Sequence, residues 1–133
     1  MNMGTAVSVL SSSASSAPRP ERRLVFRNKG RIVYQRMEDI SHILSDGNYV
    51  FVFTEKEKQH YRETMAGLES KLDPAVFARI HRTVIVNLNR VREIQYNSST
   101  GEAWVLLSNG QRLPLSRSHR PELTRRMAQQ TTN

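Results

Sequence analysis

There is no cysteine among the 133 residues. That excludes a disulfide framework, a thiolate metal site and a cysteine nucleophile, and it fits a reducing compartment. Tryptophan occurs once and glycine six times, and no glycine-rich loop of the kind that cradles phosphates is present. Long apolar runs are missing too. The longest, Val50 to Phe53 and Ala103 to Leu107, fall far short of the ~18–20 residues that cross a bilayer. Apolar content is 38%, below the ~45–50% of an average globular domain. Acidic side chains are also scarce, 12 against 20 Lys and Arg, for a net charge of +8. Such an excess points to a polyanionic partner.

The usual catalytic sets are absent as well. His42, His60, His81 and His119 are scattered, with no pair at helical ligand spacing and no carboxylate in ligand register. There is no Gly-x-Ser-x-Gly elbow, and the adjacent Glu38 and Asp39 read as solvated surface. The expectation is therefore no enzyme, no metal and no cofactor.

At this length one domain with a single core is expected. Residues 1–21 differ in composition from the rest. Ser11 to Ala17 contains only Ser and Ala and is followed by Pro18-Arg19-Pro20, so little can repay ordering. They read as a disordered tail. A secretory leader is disfavoured, because no Lys or Arg precedes Arg19 and the apolar stretch spans only Ala6 to Leu10. The folded domain is expected over 22–130.

Within it the signal is mostly β, and antiparallel. Leu24 to Phe26 and Ile32 to Tyr34 flank Asn28-Lys29-Gly30 as a hairpin. Ile43-Leu44 enters a turn at Asp46-Gly47-Asn48, Tyr49 to Thr54 is a buried strand, and His60 to Arg62 pairs back onto it. Thr64 caps one short helix, with Met65, Leu68 and Leu72 on one face and Pro74 blocking continuation. Phe77 and Ile80 anchor the core. Strands follow at Thr83 to Val86, Val91 to Tyr96, Ala103 to Leu107 and Gln111 to Leu115. Asn109-Gly110 reads as a two-residue hairpin turn, and Pro114 marks an edge strand. A second helix is expected from Ser116 to about Gln129, with Leu123 and Met127 on its buried face.

The charge is unevenly placed. Basic clusters occupy Arg79 to Arg92 and Arg112 to Arg126, while the acids gather elsewhere. Arginine dominates both, and its planar fork bridges two acceptors on guanine or a phosphate. Three strands exit into polar pairs: at Asp46-Gly47-Asn48-Tyr49, at His81-Arg82-Thr83 and at Ser116-Arg117. Loops on a rigid scaffold carry recognition, so the three exits are candidates for one binding edge. His81 and Asn87 also read as turn formers that satisfy local backbone groups.

The same residues carry a family resemblance. RIHRTVIVNLNRV, Arg79 to Val91, resembles the signature of the LytTR DNA-binding domain, the output domain of LytR/AlgR-type bacterial response regulators. MEDISHILSDGNYVFVFT (Met37 to Thr54), ETMAGLESKLDPAVFARIHR (Glu63 to Arg82) and NGQRLPLSRSHRPEL (Asn109 to Leu123) resemble its other segments in the right order. The resemblance runs from about Leu24 to Met127. It implies short antiparallel strands in small sheets, and reading of the DNA major groove by loops and strand ends. By motif position it implies Asn48, Tyr49, Arg82 and Arg117 as base readers, with His81, Asn87 and Ser116 beside them. Arg90, Arg120, Arg125 and Arg126 of the basic clusters are expected to support backbone binding.

The expected function is thus a cytoplasmic regulator of transcription that binds specific double-stranded DNA. Repeated sites, a homodimer on DNA and a regulatory protein partner are the expected partners. The alternative is an interaction module that pairs with a regulator or membrane protein without reading DNA. Family members usually carry a phosphoacceptor receiver domain ahead of this module. Only about twenty residues precede it here, so the expectation is either a stand-alone regulator or one whose signal arrives through a partner.

Overall fold

Side-chain alternation sets the layers of this fold. The computed structural model describes residues 22–130, so the expected tail over 1–21 lies outside the described residues. Among those described, the chain order is β1 (Arg23–Asn28), β2 (Arg31–Arg36), β3 (Ile40–Asp46), β4 (Tyr49–Thr54), β5 (Lys58–Arg62), α1 (Met65–Lys71), β6 (Phe77–His81), β7 (Val84–Asn87), β8 (Val91–Tyr96), β9 (Ala103–Leu107), β10 (Arg112–Leu115) and α2 (Arg120–Gln129). Short 3₁₀ turns precede β3, β8 and α2.

A five-stranded sheet in the order β5-β4-β3-β7-β6 forms the middle, antiparallel throughout. Its central members β3 and β7 are buried on both faces, which is why Val84 to Val86 reads as an unbroken apolar run rather than an alternating one. On one face Ile43, Val50, Val52, Tyr61, Phe77 and Ile85 form a core with Leu24 and Phe26 of the β1–β2 hairpin and Met65, Leu68 and Leu72 from the α1 region. On the other face Ala78, Ile80, Val84 and Val86 meet Ala103, Val105, Leu107, Leu113 and Leu115 of a three-stranded sheet, β10-β9-β8, and Leu123 of α2. The single expected core is therefore two cores divided by one sheet.

Local signals explain most elements. The Thr64 hydroxyl accepts the Gly67 N–H at 3.0 Å and starts α1, with Met65 and Leu68 on its buried side. Pro114 sits opposite Trp104 on β10, the edge of its sheet. Two readings change. The two-residue loop with both residues at positive φ is Lys29–Gly30, at 39° and 78°. At Asn109-Gly110 only Gly110 is left-handed: its N–H donates to Leu107 at 2.9 Å, and Leu107 N–H to Gln111 at 2.8 Å. The Asn109 side chain accepts the Gln111 N–H at 2.9 Å and Asn109 itself does not take a positive φ, giving the longer turn-plus-bulge hairpin. Phe77 and Ile80, expected only as anchors, belong to a full strand, β6.

Candidate nucleic-acid interface

The three polar exits meet at one end of the central sheet. Asp46 and Tyr49 are register partners around a Gly47–Asn48 loop with Gly47 at φ +63°, which an L side chain resists. The Tyr49 ring is stacked on His60 of β5 with centroids 4.7 Å apart. His60 Nε2 lies 3.1 Å from the Asp46 carboxylate. Tyr49 is thereby laid along β5, 39% exposed, and Asn48 stands exposed at the tip.

The second exit is the β6–β7 turn. His81 Nδ1 accepts the Thr83 N–H at 3.2 Å and lies 2.9 Å from the Thr83 hydroxyl. A nitrogen that accepts an N–H carries no proton, so in the neutral ring the hydrogen sits on Nε2. Arg79 holds the turn from beneath. Its guanidinium donates to the His81 carbonyl at 3.1 Å and to the Arg82 carbonyl, and pairs with Glu69 of α1 at 2.9 Å. Arg82 itself is exposed and makes no ion pair among the described residues.

The third exit follows β10. Ser116 bonds the His119 ring, and the Arg117 guanidinium lies over Gly101, where an added Cβ would meet it at 2.6 Å. Arg120 donates to the Gly101 carbonyl at 3.0 Å and sits 5.5 Å from the Tyr96 ring centroid, which packs it against the flank of the edge.

Two backbone hydrogen bonds tie the exits together. Ser45 N–H donates to the Thr83 carbonyl at 2.9 Å, and Ser116 N–H to the Ile80 carbonyl at 2.8 Å. The sequence-expected Asn48, Tyr49, His81, Arg82, Ser116 and Arg117 are thus brought to one edge, with Arg120 beside it. Asn87 and Arg90 are not. They lie at the far end of β7, where Asn87 is buried, donating to the Ile40 carbonyl and accepting the Asn89 N–H, both at 2.9 Å. Arg90 pairs with Glu55 and donates to the Glu38 carbonyl at 3.0 Å. On α2, Arg125 is held bidentately by Glu122, each charge stabilising the other, so the Glu122 carboxyl titrates below its ordinary range. Arg126 is half-buried, with one guanidinium nitrogen fully enclosed.

The basic clusters therefore divide into neutralised and available charge. Arg79, Arg90 and Arg125 are paired; Arg82 and Arg117 make no ion pair among the described residues. Three contributors escaped the sequence reading. They are His60, the clamp residue Arg79, and Gly101, whose φ of +82° and missing Cβ leave room for Arg117. Only Arg79 carried a prior signal, as a charge within a basic run.

A family model described as the LytTr DNA-binding domain matches residues 30–128. The chain is 38% identical over 95 residues to the Sensory transduction protein LytT of Bacillus anthracis, covering 69% of this chain and 37% of that protein. It is 35% identical over 65 residues to the Transcriptional regulatory protein YpdB of Escherichia coli K12, covering 49% of this chain and 27% of the relative. The chain thus spans well under half the length of either relative. A solved LytTr DNA-binding domain from Bacillus cereus shares the fold at a TM-score of 0.68 and 18% identity, over 81% of this chain and 98% of that one.

Proposed function

The chain belongs to the LytTR DNA-binding domain family, and on that premise we propose that it is a sequence-specific regulator of transcription reading double-stranded DNA in the major groove. The observation that carries this reading is the convergence of three strand exits, joined by backbone hydrogen bonds, that present Asn48, Arg82 and Arg117. Loops of this kind need no recognition helix. The β3–β4 and β6–β7 turns are two strand spacings apart, ~10 Å. That distance fits a major groove ~12 Å wide and spans about three base-pair steps.

In this reading Arg82 and Arg117 each offer a two-pronged donor to guanine O6 and N7, and the Asn48 amide suits adenine N6 and N7. The His81 Nε2–H and Ser116 hydroxyl donate to phosphate, and the Tyr49 ring borders the groove wall. Tethered carbonyls beneath Arg82 keep the turn in place before DNA arrives, which lowers the ordering entropy of binding. The regulator works in the cytoplasm on repeated sites, with protomers side by side and a regulatory protein partner. Among the described residues no helix is long and apolar enough to cross a membrane.

Selection from randomised duplex DNA tests the reading. The expected result is an enriched motif. Arg82→Ala and Arg117→Ala each lose about 1–3 kcal/mol for that site and flatten preference at separate positions. Binding that is salt-sensitive but blind to sequence would instead support an interaction module.

A further inference from the structure

The densest basic stretch lies outside both clusters discussed so far. Arg22, Arg23, Arg27, Lys29, Arg31 and Arg36 fall within fifteen residues that contain no acid. They occupy the β1–β2 hairpin, and their fates differ. Arg22 pairs with Asp73 at 3.3 Å and Arg36 with Glu38, both towards the open end of the hairpin. Arg27, Lys29 and Arg31, at and beside the turn, are exposed and make no ion pair with any described residue. Arg62, exposed at the end of β5, makes none either.

The hairpin turn sits at the recognition end. Phe26, two residues before the turn begins, stacks on Tyr61 with centroids 4.0 Å apart and planes 3° from parallel. Arg31 lines one shallow cleft with Tyr61, Gln59 and Glu57 of the β5 side. Tyr61 precedes Arg62, the register partner of Tyr49. The turn therefore lies on the β5 flank of the edge that carries Asn48 and Tyr49. It is also held firmly, since Leu24 and Phe26 are buried in the core beneath. At its tip Lys29 takes a left-handed φ of 39°, a position that glycine or asparagine fills with less strain.

We propose that this hairpin turn is a second DNA-contacting element, placing Arg27, Lys29 and Arg31, with Arg62, against phosphates that flank the bases read at the three exits. The inference rests on the function proposed above and extends it to one side. Charges with no ion-pair partner among the described residues are the ones whose binding releases counterions from DNA, and here they gather at one end of the hairpin. A rigid turn adds them with little ordering entropy.

The test uses the full chain and the duplex enriched by selection. In the triple variant R27Q/K29Q/R31Q the slope of log affinity against log salt falls by about 2–3, since each lost phosphate contact removes ~0.9. The enriched motif stays the same. Shortening one flank of the site by about five base pairs, half a helical turn, weakens the wild type and leaves the triple variant unchanged. R62Q, on another element, lowers the slope by about 1 on its own. Unchanged urea midpoints show that both variants fold. If the wild type selects its motif but the variants keep its salt slope and flank dependence, the hairpin does not touch DNA and the proposal falls alone. Its face would then suit an acidic protein partner instead. If the wild type selects no motif and ignores the flank, the function and this extension fall together.

Discussion

Arg79 and Arg82 stand three residues apart in one basic run, and a methionine at position 79 separates their roles. Methionine keeps the long apolar stem and removes every donor. Two hydrogen bonds to the His81 and Arg82 carbonyls disappear. A bond from a charged donor is worth about 1.5–3 kcal/mol, and the Arg79 side chain is 23% exposed, so the lower end applies to each. The Glu69 partner is 50% exposed, so that ion pair adds at most about 1 kcal/mol. Freed turn carbonyls regain water, which returns part of the loss. The net expectation for Arg79→Met is about 2 kcal/mol of unfolding free energy by urea titration, with the denaturant slope unchanged. The enriched duplex binds more weakly because the turn must be ordered on binding. The salt slope stays at its wild-type value, because the Arg79 charge is already balanced by Glu69. Arg82→Ala should do the reverse, leaving stability within about 0.5 kcal/mol and losing base preference. If Arg79→Met keeps full stability and drops the salt slope by about 1, then Arg79 faces phosphate and the clamp is wrong.

Two further outcomes probe other parts of the structure. Gly101→Ala forces a Cβ to within 2.6 Å of the Arg117 guanidinium at a backbone φ of +82°. It should cost about 1–3 kcal/mol of stability and alter base preference only where Arg117→Ala alters it; a repeat of the duplex selection with an unchanged motif would sink the assigned role of Gly101. Burial against the Phe53 ring lowers the His42 pKa to about 4. The unfolded chain takes up that proton from about pH 6.5 downward, whereas the folded chain resists until near pH 4. This contribution is therefore complete above pH 6.5 and is lost as the pH falls towards 4. At ~1.4 kcal/mol for each intervening pH unit the loss is about 3 kcal/mol. Urea titrations at pH 7 and pH 4 should show wild type losing about 3 kcal/mol more than His42→Leu; equal losses would mean that His42 is not held neutral.

What could be read in the sequence was local. Thr64 followed by Met65, Leu68 and Leu72 spells a capped helix because both signals lie within about two helical turns of chain. The β-branched and aromatic run from Tyr49 to Thr54 spells a strand for the same reason. The three exits were also visible, since each is a polar pair directly after an apolar run. Their meeting was not, because it depends on the Ser45–Thr83 and Ser116–Ile80 bonds between distant segments. The pairing of charge is hidden on the same ground. Arg79 finds Glu69 ten residues away and Arg90 finds Glu55 thirty-five away, and counting cations along the chain cannot see either pairing. The basic hairpin does not stand out in the chain, because its strand pattern accounts for every residue in it. Asn109-Gly110 departs from the two-residue turn its dipeptide signals, with the Asn109 side chain accepting the Gln111 N–H and only Gly110 at positive φ.

The two bonds that join the three strand exits run from main chain to main chain. No side chain of Asn48, Arg82 or Arg117 takes part in them. The edge is in effect a socket board whose wiring is independent of what is plugged in. Descendants of such a chain can exchange these three residues, and with them the base preference proposed for them, while inheriting the same frame beneath. The steps between one specificity and another then need not pass through an unfolded protein, and an experimenter grafting new readers at these positions should meet the same tolerance.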